Sequence, residues 1–169
     1  YHVVRMGEGE FTRCPVETRW ATIHAAQEAG LLLGSCVEPV GPEHSLEEIV
    51  EKTIYTREMG AKFSGAMRRT PIEGSVLCEY GAVTYARMAT IVAAVALITG
   101  QAIPGNCTHE PNQLAVFNGA NLLWAEVGSN PRDTSGKTEE NRGWTVPRCR
   151  DLLEECGWEA LDGPSLLFS

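Results

Sequence analysis

Strand-length apolar runs alternate with segments of helical period along this chain, and polar or charged residues collect where the runs stop. Strands are expected at residues 1–6, 31–33, 61–67, 102–107 and 122–127. The segments between them carry helix signals. Pro15 precedes Val16, Trp20 and Ile23 at helical spacing, and Gly30 ends that helix. Ser45 and Glu48 form a capping box ahead of Leu46, Ile49, Val50 and Ile54. Residues 83–98 are alanine-rich and apolar almost all round, as in a helix packed on two sides. Residues 112–118 give a short helix, and Thr145 with Pro147 opens a last one that ends near Gly157. Such alternation with short connections implies parallel strands and right-handed crossovers.

The expected fold class is therefore α/β, with consecutive β/α units. Five units are fewer than the eight of a closed TIM-type barrel, so an open sheet and part of a (β/α) barrel both fit. Neither a Gly-x-Gly-x-x-Gly nor a phosphate-loop signature is present, which leaves a nucleotide-binding sheet little support. The 169 residues, 43% hydrophobic and 21% charged, suit one globular unit. Residues 1–157 are expected to form the β/α units, and residues 158–169 a tail without clear period. The chain begins with Tyr1, already inside an apolar run, as expected of an excised or incomplete chain.

A net charge of −8 argues against an extended nucleic-acid surface. The best apolar run, residues 89–99, is too short for a membrane span and reads as a buried helix. The six cysteines, Cys14, Cys36, Cys78, Cys107, Cys149 and Cys156, include no closely spaced pair of zinc-knuckle or redox type. They read as reduced thiols, mostly small buried apolar residues, and no secretory pattern precedes the first strand. The location expected is cytoplasmic, and no metal ligand set is expected from the spacing.

In a parallel β/α protein the strand-to-helix junctions share one face, where such folds keep their chemistry. Arg5 and Glu8 follow the first strand, and Arg19 lies in the first helix. An arginine can grip a carboxylate with two parallel hydrogen bonds and a glutamate can accept from an ammonium, so together they suit a zwitterionic amino acid group or are surface charge. Glu38 lies between Cys36 and Pro39, either binding substrate or moving a proton, or paired with an arginine such as Arg68. Arg68 and Arg69 are adjacent and point to opposite sides of a strand. Met67 packs on a ring or serves as core. His109, Glu110 and Asn112 make a dense polar group, where a His beside a Glu can be an acid/base pair or a metal site, a substrate contact or structure, and no His-Glu-x-x-His is present. Glu126 closes the last strand, Asn130 and Arg132 begin the loop after it, and all three are read as substrate-binding or structural. His44, beside the capping serine, reads as structural.

Residues 29–43, Ala-Gly-Leu-Leu-Leu-Gly-Ser-Cys-Val-Glu-Pro-Val-Gly-Pro-Glu, resemble the fifth-strand region of radical S-adenosylmethionine enzymes of the biotin synthase type. Residues 118–128, Asn-Gly-Ala-Asn-Leu-Leu-Trp-Ala-Glu-Val-Gly, are similar to their last barrel strand, and the likeness runs to about Trp158. Within that superfamily the chain looks closer to hydrogenase cofactor maturases, whose Arg/Glu signature resembles residues 4–8. The resemblance implies the C-terminal part of a barrel, with Arg5, Glu8, Arg19 and Met67 touching S-adenosylmethionine. It leaves Glu38, Arg68, His109, Glu110, Asn112, Glu126, Asn130 and Arg132 for a small-molecule substrate. The family's Cys-x3-Cys-x2-Cys loop for a 4Fe-4S cluster has no match here, so those ligands are expected outside the chain, on an N-terminal half of the same barrel. Ser35 stands where the family has an auxiliary-cluster cysteine, with Cys36 one position off, and an auxiliary two-iron cluster is not carried over.

Two other classes stay open at this stage. One is a half-barrel interaction module, inactive alone, that pairs with itself through an open sheet edge. The other is an ordinary barrel lyase or aldolase using Glu38 and His109. It lacks a phosphate-binding glycine loop, and Lys52, Lys62 and Lys137 read as poorly placed for a Schiff base.

Overall fold

The structure, a computed structural model, describes residues 15–71, 73–75, 77–125 and 144–164. In chain order these form α1 (Val16–Glu28), β1 (Val37–Val40), α2 (Leu46–Glu58), β2 (Phe63–Arg68), α3 (Tyr85–Thr99), β3 (Gly105–Thr108), α4 (Gln113–Phe117), β4 (Leu122–Leu123) and α5 (Val146–Glu155). The strand expected at residues 1–6 and the end of the one at 122–127 lie outside the described residues. The four strands make one parallel sheet in the order β1-β2-β3-β4. Helices alternate with them, so the molecule is α/β.

Local chemistry places most element ends. Ser45 and Glu48 complete the capping box of α2, with the Ser45 side chain accepting from the Glu48 amide and Glu48 accepting from the Ser45 amide. Thr84, Asn112 and Thr145 cap α3, α4 and α5 by the same single bond to the third residue on. Pro15 is the residue before α1 rather than its first helical position.

One strand lies elsewhere than the apolar pattern implied. Residues 31–33 are not a strand, and Leu31 and Leu32 are exposed. The chain only begins to pair with β2 there, through the Lys62 amide to the Leu33 carbonyl (2.7 Å) and the Ser35 amide to the Phe63 carbonyl (3.2 Å). The ladder proper is Val37–Val40, against Ala66 and Arg68. Burial, not the density of leucine, fixes this. Val37 and Val40 fit beneath the helices, whereas a third leucine in a row has no second buried face to enter.

The two faces of the sheet differ. Ser35, Val37, Ser64, Ala66, Asn106 and Thr108 face the helices. Ser35 is met by Lys52 and Thr56 of α2, and the Asn106 amide donates to the Val92 carbonyl of α3. Val37, Val40, Ile49, Ala66, Met88, Ile91, Val92 and Val95 form the core between the sheet and α2 and α3. Tyr85–Ala102 is long and apolar enough by composition to cross a membrane, and so exceeds the run at residues 89–99. Its apolar side is buried on β2, β3 and α2, as in a core helix.

The stretch 118–121 has a structural task. The Asn121 side chain accepts from the Asn106 amide and donates to the Pro104 carbonyl, and the Asn106 side chain also donates to the Gly119 carbonyl. Gly119 adopts φ +102°, and a Cβ there would lie 3.0 Å from the Ala96 Cβ. This segment fastens β3, the turn before β4, and α3 together.

Candidate functional site

The period of two along each strand sends Cys36 and Glu38, Phe63, Gly65 and Met67, and Cys107 and His109 to the sheet face away from α2 and α3. Register sets Gly65 opposite Cys107, and Val37 opposite Ala66 puts Cys36 in the same row. The two cysteines therefore flank a glycine across three strands. A Cβ on Gly65 would lie 2.5 Å from the Cys107 sulfur and 2.1 Å from its carbonyl oxygen. Its absence lets the two sulfurs meet over β2, at 3.2 Å. Both are free thiols.

His109, just past the end of β3, completes the group. Its Nε2 is 3.1 Å from a Glu38 carboxylate oxygen, and its ring stacks on Trp124 with centroids 4.9 Å apart and 18° between planes. Trp124, just past β4, meets Phe63 edge-on. One ligand atom each from Cys36, Cys107 and His109 lie within 4.8 Å of one another.

The electrostatics follow. Contact with Cys36 lowers the pKa of Cys107 despite its burial, and His109 lowers it further. The Trp124 indole N–H, which has no acceptor at ordinary hydrogen-bonding distance, faces the same sulfur and adds a smaller effect. Cys36 is pushed up, first by contact with Cys107 and then by burial, so of the two thiols Cys107 is the more acidic. Burial works against charge on His109, but Cys107 and Glu38 outweigh it and push the imidazole up to about 10. Glu38 is lowered, chiefly by His109 and against its own burial. The cluster thus favours charge on His109, set between the acidified Cys107 thiol and the Glu38 carboxyl.

Lys52 lies across the sheet from it, on the helix side. Its ammonium donates to Ser35 at 2.7 Å, and burial lowers its pKa while the charges of Cys36 and Glu38 partly restore it.

Other expected site residues are placed apart from this cluster. Arg68 and Glu110 pair with each other at 2.5 Å on the helix side, and Arg68 also donates to the Val83 carbonyl and lies 3.9 Å over the Tyr85 ring. Glu38 therefore pairs with His109 and not with Arg68. His109 and Glu110 do not form a pair, because neighbours at a strand end diverge. Arg69 turns to Glu43 and the Gly81 carbonyl. Asn112 caps α4 and donates to the Glu110 carbonyl. Met67 is half-buried at the end of β2. Arg19 lies in the first turn of α1, and its Nε is buried with no hydrogen-bond partner among the described residues. Arg5, Glu8, Glu126, Asn130 and Arg132 lie outside the described residues.

Cys36, Cys107 and Trp124 were not singled out by sequence as one site. The signal was present in two i, i+2 pairs, Cys36/Glu38 and Cys107/His109, with a glycine in the strand between. Two depressions, of about 520 Å³ beside Tyr85, Trp144 and Arg148 and about 270 Å³ beside His44 and Arg87, lie away from the cluster. The chemistry favours the cluster, since neither depression gathers a nucleophile and a base. Comparison with protein-family models and with curated proteins returns no match to this chain.

Proposed function

We propose that this chain is the C-terminal part of a barrel enzyme of the radical S-adenosylmethionine, biotin-synthase-like type, contributing contacts for the cosubstrate and for a small-molecule substrate. The observation that carries the reading is the convergence of Glu38 of β1 with His109 and Trp124, which lie just past the C-terminal ends of β3 and β4, on one face of the parallel sheet, where β/α barrels hold their substrates. The resemblance of residues 29–43 and 118–128 supplies the class. A half-barrel of the TIM type is the architecture that joins the two.

The fit to the implied groups is uneven. The buried Nε of the half-buried Arg19, which has no acceptor among the described residues, suits the carboxylate of S-adenosylmethionine. Met67 offers an apolar surface for a ring. A 4Fe-4S cluster does not fit: the sequence has no Cys-x3-Cys-x2-Cys, and among the described residues only two thiols converge. No step is routed through a cluster on this chain. In the intact family, S-adenosylmethionine supplies a 5′-deoxyadenosyl radical that takes hydrogen from substrate. The residues here position reactants: Arg19 holds a carboxylate, Trp124 and Phe63 give an apolar wall, and the Glu38–His109 pair holds a proton beside Cys107.

Equilibrium dialysis of the 169-residue chain with labelled S-adenosylmethionine, with a parallel assay for iron and 5′-deoxyadenosine under dithionite, tests the reading. Saturable binding weakened at least about tenfold by Arg19→Ala, the scale of a lost charge-assisted contact, is expected. Iron and cleavage are both expected to be absent. Absence of saturable binding, or cleavage by the chain alone, overturns it.

A further inference from the structure

We infer that Cys36, Cys107 and His109 form a site for one Zn2+ ion, with Glu38 as its supporting carboxylate and the fourth position open. Two cysteine sulfurs and an imidazole within 4.8 Å of one another are the donor set that zinc takes in tetrahedral sites. Zn–S near 2.3 Å and Zn–N near 2.0–2.1 Å put ligand atoms about 3.5–3.8 Å apart. The sulfurs, at 3.2 Å, need open by only about half an ångström to reach that spacing.

Three further features are those of a built site. Gly65 supplies the gap, since any side chain there would fill the space between the sulfurs. Trp124 fixes the imidazole plane by stacking. Glu38 meets Nε2 of His109, which assigns Nδ1 to the metal in this proposal and gives the site a carboxylate–histidine–metal arrangement. Charge balances as well. Two thiolates neutralise the dication, so the metal and its two sulfur ligands together carry no net charge.

Three protein ligands and one open position are the arrangement of a reactive zinc, not of a closed structural one. The open position takes water or the heteroatom of a small substrate, a thiol above all, because zinc held by two thiolates is soft. This site stands independently of the radical reading, and its readout involves no S-adenosylmethionine.

The test is a titration of the reduced, chelator-treated 169-residue chain with Co2+, followed by competition with Zn2+. One Co2+ per chain is expected, with thiolate-to-metal charge-transfer absorption that Zn2+ abolishes. Cys36→Ser and Cys107→Ser should each remove most of that absorption, and His109→Gln should weaken binding. Glu38→Gln should keep the absorption while weakening affinity about 10- to 100-fold. Cys149→Ser and Cys156→Ser should change nothing. Circular dichroism checks folding, and the half-buried Cys36 carries the test where Cys107→Ser does not fold. Absence of charge transfer in the parent chain, its survival in both Cys36→Ser and Cys107→Ser, or iron with acid-labile sulfide at these residues in place of zinc would overturn the inference.

Discussion

His44 shows how one buried side chain sets a pH dependence. It lies between β1 and α2, just before the Ser45 cap, and its Nδ1 is 2.8 Å from the Gly41 amide and 3.1 Å from the Gly41 carbonyl, so the ring's tautomer decides which of the two it meets. Burial lowers its pKa, and the Gly41 backbone contact and Glu48 only partly oppose this; Glu43 lies 3.6 Å away and Arg69 beyond it. The fold thus favours the neutral ring. The stability it contributes is complete above the ordinary histidine pKa of about 6.5 and is lost as pH falls through the lower folded value. Urea midpoints measured from pH 7 to pH 5 should fall, and His44→Gln should flatten that slope. An unchanged slope would assign the acid sensitivity to the Glu43–Arg69 pair instead. The structural role that sequence gave His44 was legible from its position beside Ser45, but its burial was not, since a lone histidine carries no sign of what packs over it.

β2 is where a single atom decides the arrangement of its neighbours. Gly65 adopts φ +156°, and a methyl there meets the Cys107 backbone and sulfur. Gly65→Ala should therefore cost at least the ~1–3 kcal/mol typical of overpacking and separate the two sulfurs. Urea unfolding and the Co2+ absorption measure the two effects, and a variant of unchanged stability would show that β2 yields easily. Strand and helix existence followed from the alternating pattern, and the caps at Ser45 and Thr145 from local chemistry. The misread element was β1, placed by sequence on Leu31–Leu33. Apolar density marks a strand only when both faces are covered, and the register that buries Val37 and Val40 is set by β2, whose paired residues Ala66 and Arg68 lie 29 and 28 positions on.

Among the described residues, β1 and β4 each have one strand neighbour, and Leu31, Leu97 and Phe117 expose most of their surface. Open edges and exposed apolar side chains favour pairing with another sheet. Sedimentation at several concentrations is expected to show reversible self-association, and a monomer at every concentration would discard the self-pairing module. The α/β class was readable in the sequence because the periods of two and 3.6 are local properties, written within ten to fifteen residues. So was the side of the sheet that each strand residue faces, given its neighbours. The partners were not. Glu38 with His109, Arg68 with Glu110, and Cys36 with Cys107 are separated by 71, 42 and 71 residues respectively. Strand order and register choose among the many carboxylates and thiols that the chain offers, and those are fixed by packing across the sheet, where distance along the chain no longer counts.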